Sequence, residues 1–249
     1  MTARQHVSLE VHGAVRLVTL SRPERRNALG TQTMAELAEV IGTARNEGFG
    51  CVVLTGAPPA FCAGSDLKEL AGLSPAEMAE HERQTGAVAA SIARADIPVI
   101  AAVEGYTLGG GMILAASCDV VVTAADAKWS LPEVRNGWLP PWGLGALVAR
   151  VGPIRALGLT WGAADCNGSE AHRIGLADHL CAPGEALATA LALAERLAAL
   201  PAHAVMSAKQ FYQHYREPSA HELQSAAQFQ RDAGHPAAQA VLSRFASKS

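Results

Sequence analysis

Two glycine-bearing segments carry the residue types that could stabilise negative charge: Ala60-Phe61-Cys62-Ala63-Gly64-Ser65-Asp66-Leu67 and Gly105-Tyr106-Thr107-Leu108-Gly109-Gly110-Gly111. Each follows an apolar, β-branched run, Cys51–Thr55 and Pro98–Val103, and each precedes a stretch that reads as a helix start. A strand feeding a helix through small residues leaves backbone N–H groups unpaired at the positive helix end. Alone, either segment is an ordinary strand-to-helix turn. Two such ends converging on one point would form an oxyanion hole for the charge that develops on a carbonyl oxygen. Chemistry beside that carbonyl also needs a base. Glu133 stands among Trp129, Leu131, Trp138, Leu139 and Trp142. A lone glutamate is ordinarily a solvated charge, but burial among such neighbours would raise its pKa and strengthen it as a base. No G-x-S-x-G elbow is present and no Asp or His is placed to complete a triad, so the Ser65 side chain is not read as a nucleophile.

The elements that must position these groups follow from hydrophobic period and punctuation. Val7–Val11 and Ala14–Leu20, joined through His12-Gly13, predict a hairpin. Met34, Leu37, Ala38 and Ile41 recur at helical spacing between Thr31 and Glu47, with a stop at Gly48. Ser74-Pro75-Ala76-Glu77 is a capping box with proline at the first helical position, opening a helix towards Ala95. Strands are predicted over Cys51–Thr55, Pro98–Val103 and Asp119–Thr123. This alternation implies an α/β chain with a parallel sheet under helices. After Pro183 the pattern is helical only, over Glu185–Leu200, Ala202–Tyr215 and Ser219–Ala233. The expected division is therefore 1–183 as the core and 184–249 as a helical region. His81, Glu82 and Arg83 read as a solvated helix face.

The 249 residues are 49% hydrophobic and 17% charged, which indicates a well-filled core. Net charge is −3 with no basic stripe, so no nucleic-acid partner is expected. Apolar runs are broken short of a membrane span, no signal peptide is apparent, and no membrane partner is expected. Five cysteines without CxxC spacing fit reduced, mostly buried thiols in a cytoplasmic protein. The nine histidines form no metal-like cluster, so no metal is expected.

The two loops stand in the order and spacing of the crotonase (enoyl-CoA hydratase/isomerase) family, which this chain resembles over nearly its whole length. Ser21-Arg-Pro-Glu-Arg-Arg-Asn-Ala-Leu29, Cys118-Asp119, Leu131-Pro-Glu-Val134 and Glu170-Ala-His-Arg-Ile-Gly-Leu-Ala-Asp178 extend the match. The resemblance implies the crotonase (ClpP-like) fold of stacked ββα units, with a C-terminal helical region that supports a homotrimer or a dimer of trimers. It implies an acyl-CoA thioester substrate, with coenzyme A entering as part of that substrate and no separate cofactor. The backbone N–H groups of Ser65 and Gly110 match the family's oxyanion donors.

Family hydratases use two glutamates. The second is matched by Glu133, but the first position holds Ile113. Some relatives that shift a double bond from the 3,4 to the 2,3 position resemble this chain in keeping one glutamate opposite an apolar residue. A 3,2-enoyl-CoA isomerase is therefore the first expectation. The alternatives are an enoyl-CoA hydratase, a hydratase-lyase acting on an aromatic acyl-CoA, and a CoA-ester-binding protein without turnover. Ala28 and Lys68 match positions near nucleotide and pantetheine. Ala63, Asp66, Ile113, Trp138, Pro141 and Trp142 complete the expected substrate surroundings, with Asp66 also expected to cap the helix it precedes. Pro141 occupies a place where some relatives carry a further acid or nucleophile, which weighs against dehalogenase and dienoyl-isomerase chemistry.

Overall fold

The computed structural model describes residues 4–163, 166–213 and 221–246. The chain opens on the expected hairpin, β1 (Val7–His12) and β2 (Val15–Leu20), and a short 3-10 turn at Pro23–Arg25 leads to α1 (Thr31–Thr43). Helix α1 ends short of the expected Glu47. Beyond Ala44 the segment Arg45–Glu47 has no apolar residue to fold back onto the sheet, and it runs out as turns to Gly48.

Three strand–strand–helix steps follow. The first is β3 (Cys51–Gly56), β4 (Ala60–Cys62), α2 (Leu67–Leu70) and α3 (Pro75–Arg94). The second is β5 (Val99–Val103), β6 (Tyr106–Leu108) and α4 (Gly110–Ser117). The third is β7 (Val120–Ala124), β8 (Lys128–Ser130) and α5 (Glu133–Asn136). Then come α6 (Leu144–Val151), α7 (Pro153–Trp161), β9 (Cys166–Asn167), α8 (Gly168–Arg173) and β10 (His179–Cys181). The chain closes with α9 (Ala186–Ala198), α10 (Ala202–Gln213), α11 (His221–Ala233) and α12 (Pro236–Ala246). Helix α12 is an element beyond the three helices expected there. The ends of the expected helices past Gln213 and before His221 lie outside the described residues.

The first strand of each step enters a six-stranded sheet ordered β1-β2-β3-β5-β7-β10, parallel except for the β1 edge. The second enters a small sheet ordered β4-β6-β8-β9, in which β4, β6 and β8 run parallel. Central parallel strands are covered on both faces, which is why Val52-Val53-Leu54 and Val99-Ile100-Ala101 read as continuous apolar runs. One face packs against α1, α3 and α4 through Leu37, Ile92 and Leu114. The other packs against α9, whose Ala186, Ala190 and Ala194 lie on Val15, Val53, Ile100 and Val122. The boundary drawn at 183/184 thus falls between β10 and a helix that shares the sheet's own core. Among the described residues no helix is long and apolar enough to cross a membrane.

The capping box at Ser74 and Glu77 is formed, with Ser74 N donating to Glu77 Oε2 at 2.8 Å and Glu77 N donating to Ser74 Oγ at 3.3 Å. Cys51, Cys62, Cys118 and Cys166 are buried and Cys181 is partly so, and none is bonded to another.

Candidate active site

The three strand–strand–helix steps each release one chemical group at the same point, where the small sheet hands over to a helix. Step one ends in Gly64-Ser65, step two in Gly109-Gly110, and step three in Pro132-Glu133. Because β4, β6 and β8 are parallel neighbours, these exits lie side by side. The first two loops approach closely at Gly64 (φ +86°), where a Cβ would come within 2.8 Å of Leu108 O and 3.0 Å of Gly110 N. Glycine alone satisfies both the backbone conformation and the spacing. Neither Ser65 N–H nor Gly110 N–H has a hydrogen-bond partner among the described residues. Adjacent loops thus carry two unpaired amides, one at the first position of α4.

Glu133 closes the arrangement. Its Oε1 lies 2.7 Å from where a Cβ on Gly109 would stand (φ +53°), so the carboxyl rests against the glycine run. It is buried, and Oε2 has no hydrogen-bond partner among the described residues. Burial, reinforced by the charge of Glu82, pushes its pKa up to about 7. A carboxyl poised there can both take and return a proton at neutral pH.

A cavity of about 50 Å³ joins these groups and is lined by Ala63, Ser65, Glu82, Gly109, Glu133, Trp138, Pro141 and Phe229 among others. Ile113 stands one turn into α4, wholly buried against Gly143, and does not line this cavity. Asp66 caps α2 through Lys68 N (3.1 Å) and pairs with Arg22 (3.1 Å) and Arg25 (2.6 Å). Burial alone would raise its pKa, but the two guanidiniums and the Lys68 amide hold it below the ordinary carboxylate value. Arg22 also donates to Ala28 O at 3.0 Å, so Asp66 fastens the Ser21–Leu29 segment against the first loop. Ala28 is buried there, while Lys68 lies on the exposed side of α2, apart from the cavity. Burial pushes the Cys62 thiol up to about 12, so it is no nucleophile at neutral pH. Among the described residues no group of His, Cys, Asp and Glu could hold a metal ion.

One expectation is overturned. Glu82 is not on a solvated face: it is 1% exposed and lines the same cavity as Glu133. Its Oε2 accepts from Trp142 Nε1 at 2.6 Å and from Ser65 Oγ at 3.0 Å, and Oε1 lies 3.5 Å from His81 Nδ1. Its charged neighbours His81 and Arg83 suggested solvent, but the helix period argues otherwise. Met78, Glu82, Thr85, Ala89 and Ile92 are the buried residues of α3, at alternating spacings of four and three.

The sequence profile of the enoyl-CoA hydratase/isomerase family matches residues 10–248. The chain is 36% identical over 204 residues to a probable enoyl-CoA hydratase of Rhizobium meliloti, covering 81% of this chain and 79% of that one. It is 35% identical over 208 residues to a short-chain-enoyl-CoA hydratase of Clostridium acetobutylicum, covering 82% and 80%. A crystal structure of an enoyl-CoA hydratase/isomerase from Xanthobacter autotrophicus superposes with a TM-score of 0.87 at 26% identity, covering 97% of this chain and 93% of that one.

Proposed function

This chain belongs to the enoyl-CoA hydratase/isomerase family, and from that membership we propose that it is a 3,2-enoyl-CoA isomerase. An acyl-CoA thioester sits with its carbonyl oxygen between the Ser65 and Gly110 amides. Glu133 removes the proton from C2 of a 3-enoyl thioester, the two amides stabilise the resulting dienolate, and the same carboxyl returns the proton at C4. Each amide supplies roughly 3 kcal/mol of stabilisation to the oxyanion, by analogy with deletions in other such holes. Coenzyme A is carried by the substrate, with Ala28 and Lys68 on the side of its nucleotide and pantetheine.

The observation that carries this reading is the contrast between Glu133, with its pKa near 7, and the apolar Ile113. A single carboxyl suffices to move one proton between two carbons. Concerted addition of water calls for a second group to complete proton delivery.

Hydration is the second reading. The relatives from Rhizobium meliloti and Clostridium acetobutylicum carry hydratase names, and Glu82 brings another carboxylate to the cavity. The protein is also proposed to assemble as a homotrimer or a dimer of trimers. In favour of an assembly, α7 leaves Ile154, Leu157 and Trp161 at 81%, 43% and 59% exposure along its outer side.

The test is incubation with 2-enoyl, 3-enoyl and aromatic acyl-CoA esters, with products identified by mass spectrometry and NMR. Conversion of 3-enoyl to 2-enoyl thioester with little 3-hydroxy product is expected. Hydration of crotonyl-CoA at about 10 s⁻¹ or more replaces the isomerase reading with the hydratase one. Light scattering on the eluting peak reads the assembly.

A further inference from the structure

Glu82 is a buried carboxylate that the proposed proton transfer does not use, and its partners are unusual for a structural residue. Its Oε2 accepts from Ser65, the residue whose N–H is one oxyanion donor, and from the Trp142 indole. That indole leans on the other donor: a Cβ on Gly110 would stand 2.8 Å from Trp142 Cζ2. Gly86, one turn along α3 from Glu82, leaves room for the Trp142 Cβ, which would lie 2.7 Å from a Cβ at position 86. Helix α3 therefore seats Trp142 by shape at Gly86 and by hydrogen bond at Glu82. A single oxygen atom links both halves of the oxyanion hole.

We propose that Glu82 is a positioning residue of this site: through Oε2 it holds the Ser65 and Gly110 loops in register, and its negative charge faces Glu133 across the cavity both line. This rests on the enolate reading for its use in catalysis, but not for its physical content. The surroundings of Glu82 are few and identifiable. From α3, His81 lies 3.5 Å away, and Glu82 is the chief cause of the rise in His81's proton affinity. From α2, Glu69 meets His81 on its other side at 3.5 Å. From α5 comes Glu133. From α11, Asp232 is engaged by the Leu139 amide (3.0 Å) and by Gln228 (2.7 Å). No cation besides His81 pairs with Glu82 among the described residues. Its charge therefore bears on Glu133 in a low-dielectric space, where a like charge disfavours the ionisation of Glu133.

The decisive measurement is an infrared titration of the Glu133 carboxyl, isolated by subtracting the Glu133→Gln spectrum, in wild type, Glu82→Gln and Ser65→Ala. It needs no substrate, so it decides the question even where the isomerase reading fails. Glu82→Gln retains a carbonyl oxygen for both donors and removes the charge, so Glu133 should titrate about one pH unit lower. Ser65→Ala leaves the charge, and Glu133 should titrate as in wild type. An unmoved Glu133 in Glu82→Gln overturns the proposal, because a merely structural glutamate gives that result.

The clamp has its own readout in acetoacetyl-CoA, whose enolate absorbs in the near ultraviolet. The bound enolate fraction should fall several-fold in Ser65→Ala, a small change that leaves the core packing alone. A wild-type fraction in that variant overturns the clamp. Should Glu82→Gln fail to fold by circular dichroism, the Ser65→Ala result still decides the register claim.

Discussion

Two glutamates in this molecule expose almost equally little surface, Glu36 at 8% beside the edge of the main sheet and Glu133 at 9% beside the small one, although Glu133 lies deeper among protein atoms. They have opposite fates. Glu36 accepts from the backbone amides of Gln5 (3.0 Å), His6 (2.9 Å) and Val7 (3.0 Å), and from the Gln32 side chain (3.0 Å). Burial alone would raise its pKa, but those donors outweigh it and hold the group below the ordinary value. Glu133 has an oxygen with no donor among the described residues, and burial pushes its pKa up to about 7. Low surface exposure alone therefore does not distinguish a carboxylate held in its charged form from one that keeps its proton. Depth and the supply of donors together do, because N–H groups around a carboxylate favour its charged form while desolvation without donors favours the protonated one.

The largest expected consequence is in turnover. Glu133→Gln should keep the fold and CoA-ester binding and lose about 10²-fold or more in kcat. In wild type, kcat/KM should rise through pH about 7 as Glu133 deprotonates. Activity within a few-fold of wild type would place Glu133 with Glu36 as a structural group.

Stability should move the other way. The folded protein holds the Glu133 proton more tightly than the unfolded chain, whose ordinary value is 4.5. Its destabilising effect thus begins as pH rises past that value and is complete above pH 7. Glu133→Gln should then be more stable than wild type by about 3 kcal/mol at pH 8. The gain should vanish below pH 4, which urea melts at the two pH values will show.

Glu36→Gln should cost about 2 kcal/mol at neutral pH, because its amide group offers hydrogens where the strand presents N–H donors. Glu36 has a depressed pKa, so its stabilisation is present above the unfolded value and lost as pH falls through the folded one. The difference between variant and wild type should therefore close in acid. A melt showing the same deficit at pH 3 and pH 7 would break the contrast drawn with Glu133.

The smallest effect belongs to Glu77, an exposed glutamate that accepts from the Ser74 amide. Glu77→Gln should lower the melting temperature by less than Glu36→Gln does. A larger drop would mean that the amide bonds, and not burial around them, set the worth of Glu36.

The groups delivered by the strand–strand–helix steps were legible because each leaves a local signature. Apolar strand, small residues and helix start recur at Ser65 and Gly110, and the Pro132-Glu133 pair sits in an aromatic stretch. Ile113 was legible as a departure from a pattern. Glu82 was not, since its meaning depends on Ser65 and Trp142, 17 and 60 residues away. Only its place in the Met78–Ile92 stripe betrays it locally. Helix α1 was overrun for the opposite reason: Gly48 is a strong stop, but packing gives out before the chain reaches it. The tail's helices were visible from their period, whereas the sheet face that receives α9 was not. Strands apolar on both sides show no period that says which face is covered by what.

That placement of α9 bears on how the chain comes to be made. Val15, Leu17, Cys51, Val53, Ile100, Ala102 and Val122 are all synthesised before the helix that covers them. A nascent chain ending near residue 183 has every strand of the main sheet, yet it presents one whole apolar side to water. Such a surface invites association with other incomplete chains. The closing move of folding thus belongs to Ala186, Ala190 and Ala194, whose small side chains let a late helix settle flat on a sheet already in place. Any shortened version of this protein that stops before Ala198 should be expected to aggregate, however complete its glycine-bearing loops.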